Sequence, residues 1–99
     1  GTQTAIGEND NLPRNFSLAQ NYPNPFSSKT IIKFTLSEQE NVVIKVYTVL
    51  GDEIKTIVDE EFTQGRHEVE FNAAGLSSGT YFYRFTSGSN TVFKKMQVL

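Results

Sequence analysis

Apolar and polar residues that alternate with a period of two, turn residues at near-regular spacing and a heavy share of aromatics predict an all-β chain, a seven-stranded antiparallel sandwich. Eight Phe and four Tyr in 99 residues suit pleated, half-buried surfaces. That length holds one thin-cored domain, since autonomous domains cluster near roughly 100–150 residues. With 37% apolar and 20% charged residues the composition is that of a globular chain.

The elements follow in order. Residues 1–15 offer Ala5, Ile6 and Leu12 among mostly Gly, Thr, Asn, Asp and Glu. That is too little apolar surface to order a segment, so they are read as a flexible linker, with the domain proper at 16–99. A short opening strand falls near Phe16 to Leu18. Ile32, Phe34 and Leu36 share one face of Thr30 to Ser37, and Val42, Ile44 and Val46 share one face of Asn41 to Thr48. Val49-Leu50-Gly51-Asp52-Glu53 then fits a hairpin in which Gly51 supplies positive φ. The next strand turns Ile54 and either Thr56 or Ile57 inward. After a turn at Thr63-Gln64-Gly65-Arg66, His67, Val69 and Phe71 alternate with Glu68, Glu70 and Asn72. Gly79 opens a run in which Tyr81, Tyr83 and Phe85 oppose Phe82, Arg84 and Thr86. Ser87-Gly88-Ser89-Asn90 leads into a last strand with Val92, Met96 and Val98 on one face. Such a series without a helix argues for a sandwich of the immunoglobulin-like or fibronectin-like kind. The likeness is architectural, because the Cys and Trp signature of true immunoglobulin domains is missing.

Counting excludes several functions. Without Cys there is no disulfide, thiolate metal site or cysteine nucleophile, and the single His67 leaves no His cluster. A net charge of −2 gives no footprint for nucleic acid. No apolar run approaches the roughly 18 residues of a membrane span, and the start Gly-Thr-Gln-Thr-Ala lacks the regions of a signal peptide, which says little about location, because with linker-like first residues the chain reads as a fragment. No enzyme activity, cofactor or metal is expected. Asp59-Glu60-Glu61 is a carboxylate run whose neighbours diverge, best read as a solvated turn rather than a paired acid and base or a calcium loop. His67 reads as a satisfied, partly buried imidazole, and Ser77, Ser78, Ser87 and Ser89 as turn formers.

Two stretches punctuate the strands. In Asn21-Tyr22-Pro23-Asn24-Pro25-Phe26 each proline fixes its own φ and pushes the preceding residue out of helical space. On physics alone this is an edge segment that blocks strand addition while Tyr22 and Phe26 cover the core. In Leu76-Ser77-Ser78-Gly79-Thr80-Tyr81 a tight turn delivers Tyr81 to the start of a strand, as a corner tyrosine does in sandwich folds.

These two stretches, with Val46-Tyr47-Thr48-Val49-Leu50-Gly51 and the final Lys94-Lys95-Met96-Gln97-Val98-Leu99, stand in the order and spacing of the type A C-terminal sorting domain of the type IX (Por) secretion system. The chain resembles that family from Phe16 to Leu99. It departs from the pattern at Ser77, where Pro is frequent, at Thr48, where Asp is frequent, and at its end, where many members continue to a terminal Lys. The resemblance makes Tyr22, Pro23, Asn24, Pro25, Gly51, Gly79 and Tyr81 structural motif residues. It implies a non-catalytic domain that directs a parent protein to the outer-membrane type IX translocon and its shuttle components. A sortase-like surface peptidase would then cut within residues 1–15, leaving the covalently linked upstream cargo secreted or on the cell surface. The parent implied is a secreted hydrolase or adhesin of a Bacteroidetes-type bacterium.

The residues support part of this independently. Positions 84–99 contain Arg84, Lys94 and Lys95 and no acid, a net +3 against −5 for the remainder. Such a patch can steer a partner, although lysines also guard edge strands. Lys95, with Lys94, Met96 and the terminal Val98-Leu99 pair, is the expected translocon-recognition set. On the outward parity, Val43, Tyr47, Phe82 and Phe93 stand beside Lys45, Arg84 and Lys95. This is either an aromatic and basic contact strip or a set of cross-strand pairs that stabilise the sheet. Competing functions are a carbohydrate-binding accessory module, which the lack of Trp disfavours, and a structural immunoglobulin-like spacer similar to that of a flagellar hook-cap protein.

Overall fold

A computed structural model describes residues 16–99. The alternating runs become seven strands: β1 (Phe16–Leu18), β2 (Lys29–Leu36), β3 (Glu40–Thr48), β4 (Glu53–Phe62), β5 (Gly65–Asn72), β6 (Gly79–Ser87) and β7 (Asn90–Val98). They form two antiparallel sheets, β1-β2-β5 and β4-β3-β6-β7, which pack as a sandwich. The predicted linker and any cleavage bond within it lie outside the described residues.

Strand parity decides the core. Ile32, Phe34 and Leu36 of β2 face Val42, Ile44 and Val46 of β3, Tyr83 and Phe85 of β6, and Met96 and Val98 of β7, all buried. Phe85 is the hub between the layers, its ring centroid 4.9 Å from Phe16 and 5.2 Å from Phe34. Edge-on and tilted contacts of this kind add to the burial of the rings themselves. His67 sits under Phe34 and Phe62, and its Nε2 donates to the Thr63 carbonyl at 2.7 Å, which makes it the satisfied imidazole expected of it.

The hairpins use the turn chemistry read from the sequence. Gly51 has φ of 94°, which other residues adopt only with strain, and it donates to the Thr48 carbonyl to close the β3–β4 turn. At the entry to β6 the Tyr81 hydroxyl reaches back to the Ser77 carbonyl at 2.7 Å, forming the predicted corner. Tyr81→Phe is expected to cost about 1 kcal/mol in urea unfolding, since the partly buried bond to the Ser77 carbonyl is lost while the ring packing is retained.

Three expectations are corrected. Ile54 does not face the core and is 40% exposed. The register of β3 with β4 skips at Ile57 and again at Ile54, so two bulges break the alternation on which the inward assignment rested. Of the two alternatives for the next inward position, Ile57, not Thr56, packs on the core, and Val58 and Phe62 join it there in place of Ile54. Asp59-Glu60-Glu61 is not a turn but part of β4, an exposed edge strand whose carboxylates are solvated. Tyr22 does not cover the core: it is 77% exposed, and Phe26, at the other end of the proline segment, is the residue that is buried.

Candidate recognition surface

The proline-rich segment has a more specific task than blocking an edge. Leaving β1, the chain keeps to the side of β2, with Tyr22 and Ile31 exchanging backbone hydrogen bonds at 2.9 Å. It then crosses to the other sheet and lies along β7. There Gln20 Nε2 donates to the Lys95 carbonyl (2.7 Å), and the Gln97 N–H donates to Asn24 Oδ1 (2.9 Å). Phe26 N–H donates to the Gln97 carbonyl (3.1 Å), and Leu99 N–H donates to the Phe26 carbonyl (2.8 Å). The outer edge of the terminal strand is thus occupied from Lys95 to Leu99. Open strand edges are templates for unwanted pairing, so this half of β7 is protected and fixed in register.

The crossing is held by a buried polar cluster. Asn21, 2% exposed, donates from Nδ2 to Thr30 Oγ1 (3.0 Å) and to the Pro23 carbonyl (3.2 Å), while Thr30 Oγ1 donates to that same carbonyl (2.8 Å). Its backbone N–H donates to the Tyr83 hydroxyl (3.0 Å), which in turn donates to the Ala19 carbonyl (3.2 Å). Neither Asn21 nor Thr30 stands out in the sequence as a site residue. Their only sequence signal is a polar residue at the inward parity of β2 and another at the head of the proline motif.

Burial pushes the Tyr83 phenol up from 10.0 to about 12, opposed in part by the Asn21 N–H. The native state therefore holds this proton more tightly than the unfolded chain. Its contribution to stability is complete below about pH 10 and is lost as pH rises towards about 12. The urea midpoint is expected to fall across that window, and the fall should be smaller in Tyr83→Phe.

The terminal lysines do not form one patch. Successive residues of a strand point to opposite faces, so Lys95 lies opposite Phe82 on the outer face, while Lys94 follows the inward parity of Val92 and Met96. Lys94 ends half-buried at the open flank of the sandwich, beside Phe16, Ser17, Leu18 and Val92. Met96 and Val98 have their side chains in the core, whereas Leu99 is 68% exposed.

Tyr47, Phe82 and Phe93 share the outer face of the larger sheet. Tyr47 is paired with Phe82 across β3 and β6, and Arg84 is opposite Phe93 across β6 and β7. The Tyr47 and Phe93 centroids are 6.3 Å apart, and the Arg84 guanidinium carbon lies 5.3 Å from the Tyr47 centroid, within cation–π range. The rings thus pair across strands, yet Phe93 remains 58% exposed. Among the described residues no three acidic or imidazole side chains gather as a metal site would require.

Three of the four sequence motifs meet at one corner. Phe26 and Asn24 bond to Gln97, Thr80 Oγ1 donates to Gln97 Oε1 at 2.8 Å, and Gly79 is paired with Val98. The fourth contributes Tyr47 and the Gly51 turn beside Phe82. No curated protein and no solved structure matches the chain. The family model described as the secretion system C-terminal sorting domain matches residues 20–99, from the first residue that bonds to β7 through to Leu99. The chain belongs to that family, and its domain is a sorting signal through which the type IX machinery exports an upstream cargo across the outer membrane.

Proposed function

We propose that outer-membrane components of the type IX translocon, with their shuttle, read this domain in its folded form through the terminal strand. In this reading a sortase-like surface peptidase then cuts within residues 1–15 and leaves the cargo on or outside the cell surface. The domain performs no chemistry itself. The observation that carries the reading is the capture of Gln97, in the terminal motif, by two others, the proline segment through Asn24 and Phe26 and the β6 entry through Thr80, which holds the strand end in one register with Lys95 outward and Leu99 exposed. A signal recognised as an unfolded tail would have no use for such a lock. The recognition set is Lys95 and the terminal Leu99, with Lys94 on the opposite face and Met96 and Val98 anchoring the strand from within.

The test is a periplasmic reporter fused ahead of residues 1–99 in a type IX-competent host. Lys94→Ala and Lys95→Ala combined with deletion of Val98 and Leu99 should leave the reporter in the periplasm. Lys94→Ala and Lys95→Ala alone should reduce export with little change in the urea midpoint, because both lysines lie outside the core. Undiminished secretion of the combined variant overturns the reading.

A further inference from the structure

The outer face of β3, β6 and β7 carries a groove of about 430 Å³ that the core does not require. Its floor and walls are Tyr47, Val49, Phe82 and Phe93, and it opens beside the hairpin tip, where Leu50 is 86% exposed. Arg84 stands in the wall with its guanidinium against the Tyr47 ring. Its Nε is buried and has no hydrogen-bond partner among the described residues. Lys95 lies next to it on the same face, opposite Phe82. Glu53, across from Tyr47 on this side, is paired with Lys45 at 3.3 Å, and among the described residues neither Arg84 nor Lys95 has a carboxylate partner. The other acids of this face, Asp59 and Glu61, lie on β4 at the far edge, across from Val43 and Asn41.

A buried N–H donor left without an acceptor costs free energy. A guanidinium over a ring face with its Nε–H lacking an acceptor is matched best by a carboxylate, which can take two of its N–H groups at once. The rest of the groove is apolar and suits a hydrocarbon or aromatic side chain better than a ring of sugar hydroxyls.

We propose that this groove binds a protein segment of the secretion machinery in which a carboxylate side chain stands beside an apolar one. The apolar side chain seats among Tyr47, Phe82 and Phe93, and the carboxylate lies on Arg84 within reach of Lys95. This deepens the translocon reading and rests on it, and charge complementarity selects the partner: the groove is cationic on a domain that is acidic elsewhere.

The test titrates ¹⁵N-labelled residues 1–99 with an acetylated, amidated octapeptide of alternating Asp and Phe. The same peptide with Lys for Asp, and polygalacturonate, serve as comparisons. The Asp peptide should give saturable shifts at Tyr47, Arg84 and Phe93, and Arg84→Gln should weaken binding about tenfold. The Lys peptide and polygalacturonate should leave those signals in place. In the secretion assay Phe93→Ser, a change at an exposed position, and Arg84→Gln should each lower export while the urea midpoint falls only slightly, by the loss of one contact with Tyr47. Absence of saturable shifts with the Asp peptide, or saturation by polygalacturonate in its place, overturns the proposal. It also falls if both groove variants are exported normally while the combined variant, Lys94→Ala and Lys95→Ala with Val98 and Leu99 deleted, is retained, a result that leaves the translocon reading standing. Normal export of all of them removes that reading as well.

Discussion

Phe26→Ala is expected to lower the unfolding free energy by about 3–5 kcal/mol, the largest effect of any single change in the motif segments. Phe26 is buried at 2% exposure, with its ring edge-on to Phe71 at 6.3 Å, so truncation opens a cavity between the layers. Its backbone bonds to Gln97 and Leu99 depend on where that ring is seated. A small domain has a total stability of only about 5–15 kcal/mol. The variant should therefore unfold at a much lower urea concentration, and the amides of Gln97 and Leu99 should lose their exchange protection. A loss below about 1 kcal/mol, with both amides still protected, would show that β7 does not need the proline segment to stay in place.

Asn21→Ala should cost about 2–3 kcal/mol, because it strips the buried Thr30 hydroxyl of one partner and the Pro23 carbonyl of another while removing few contacts with carbon. The effect should not add simply to that of Tyr83→Phe. Asn21→Ala keeps the backbone N–H on the Tyr83 hydroxyl but removes the side-chain anchors that position it, so the two belong to one network, and a double-mutant cycle should return a coupling of about 0.5–3 kcal/mol. Additive losses would mean that the cluster is two independent contacts. Both variants should also lower export, since each loosens the crossing that leads to the β7 edge.

The fold was legible wherever alternation ran unbroken. The inward residues of β2, β3, β6 and β7 follow from parity alone, as do the outward Tyr47, Phe82 and Phe93, because a residue cannot change faces without a break in the ladder. Parity failed at Ile54 for that reason: two bulges insert residues into β4, and neither carries a glycine or proline to betray it. The sheet joined by the first strand had no local signal either, since pairing with β2 is a long-range choice. For the recognition surface, composition located a cationic terminus but merged Lys94 with Lys95, which the same alternation sends to opposite faces. The proline motif was readable as an edge element. Its action on β7 was not, because Gln20 and Asn24 are separated from Lys95 and Gln97 by more than seventy residues and no periodicity links them. Tyr22 looked like a core aromatic by type, yet Phe26 takes that place.

The most direct measurement is export of a periplasmic reporter carrying residues 1–99 at its C-terminus, compared between a type IX-competent host and the same host lacking the outer-membrane translocon. A sorting domain read through its terminal strand predicts reporter outside the competent cells and confined to the periplasm of the deficient ones. Equal distribution in the two hosts would contradict it.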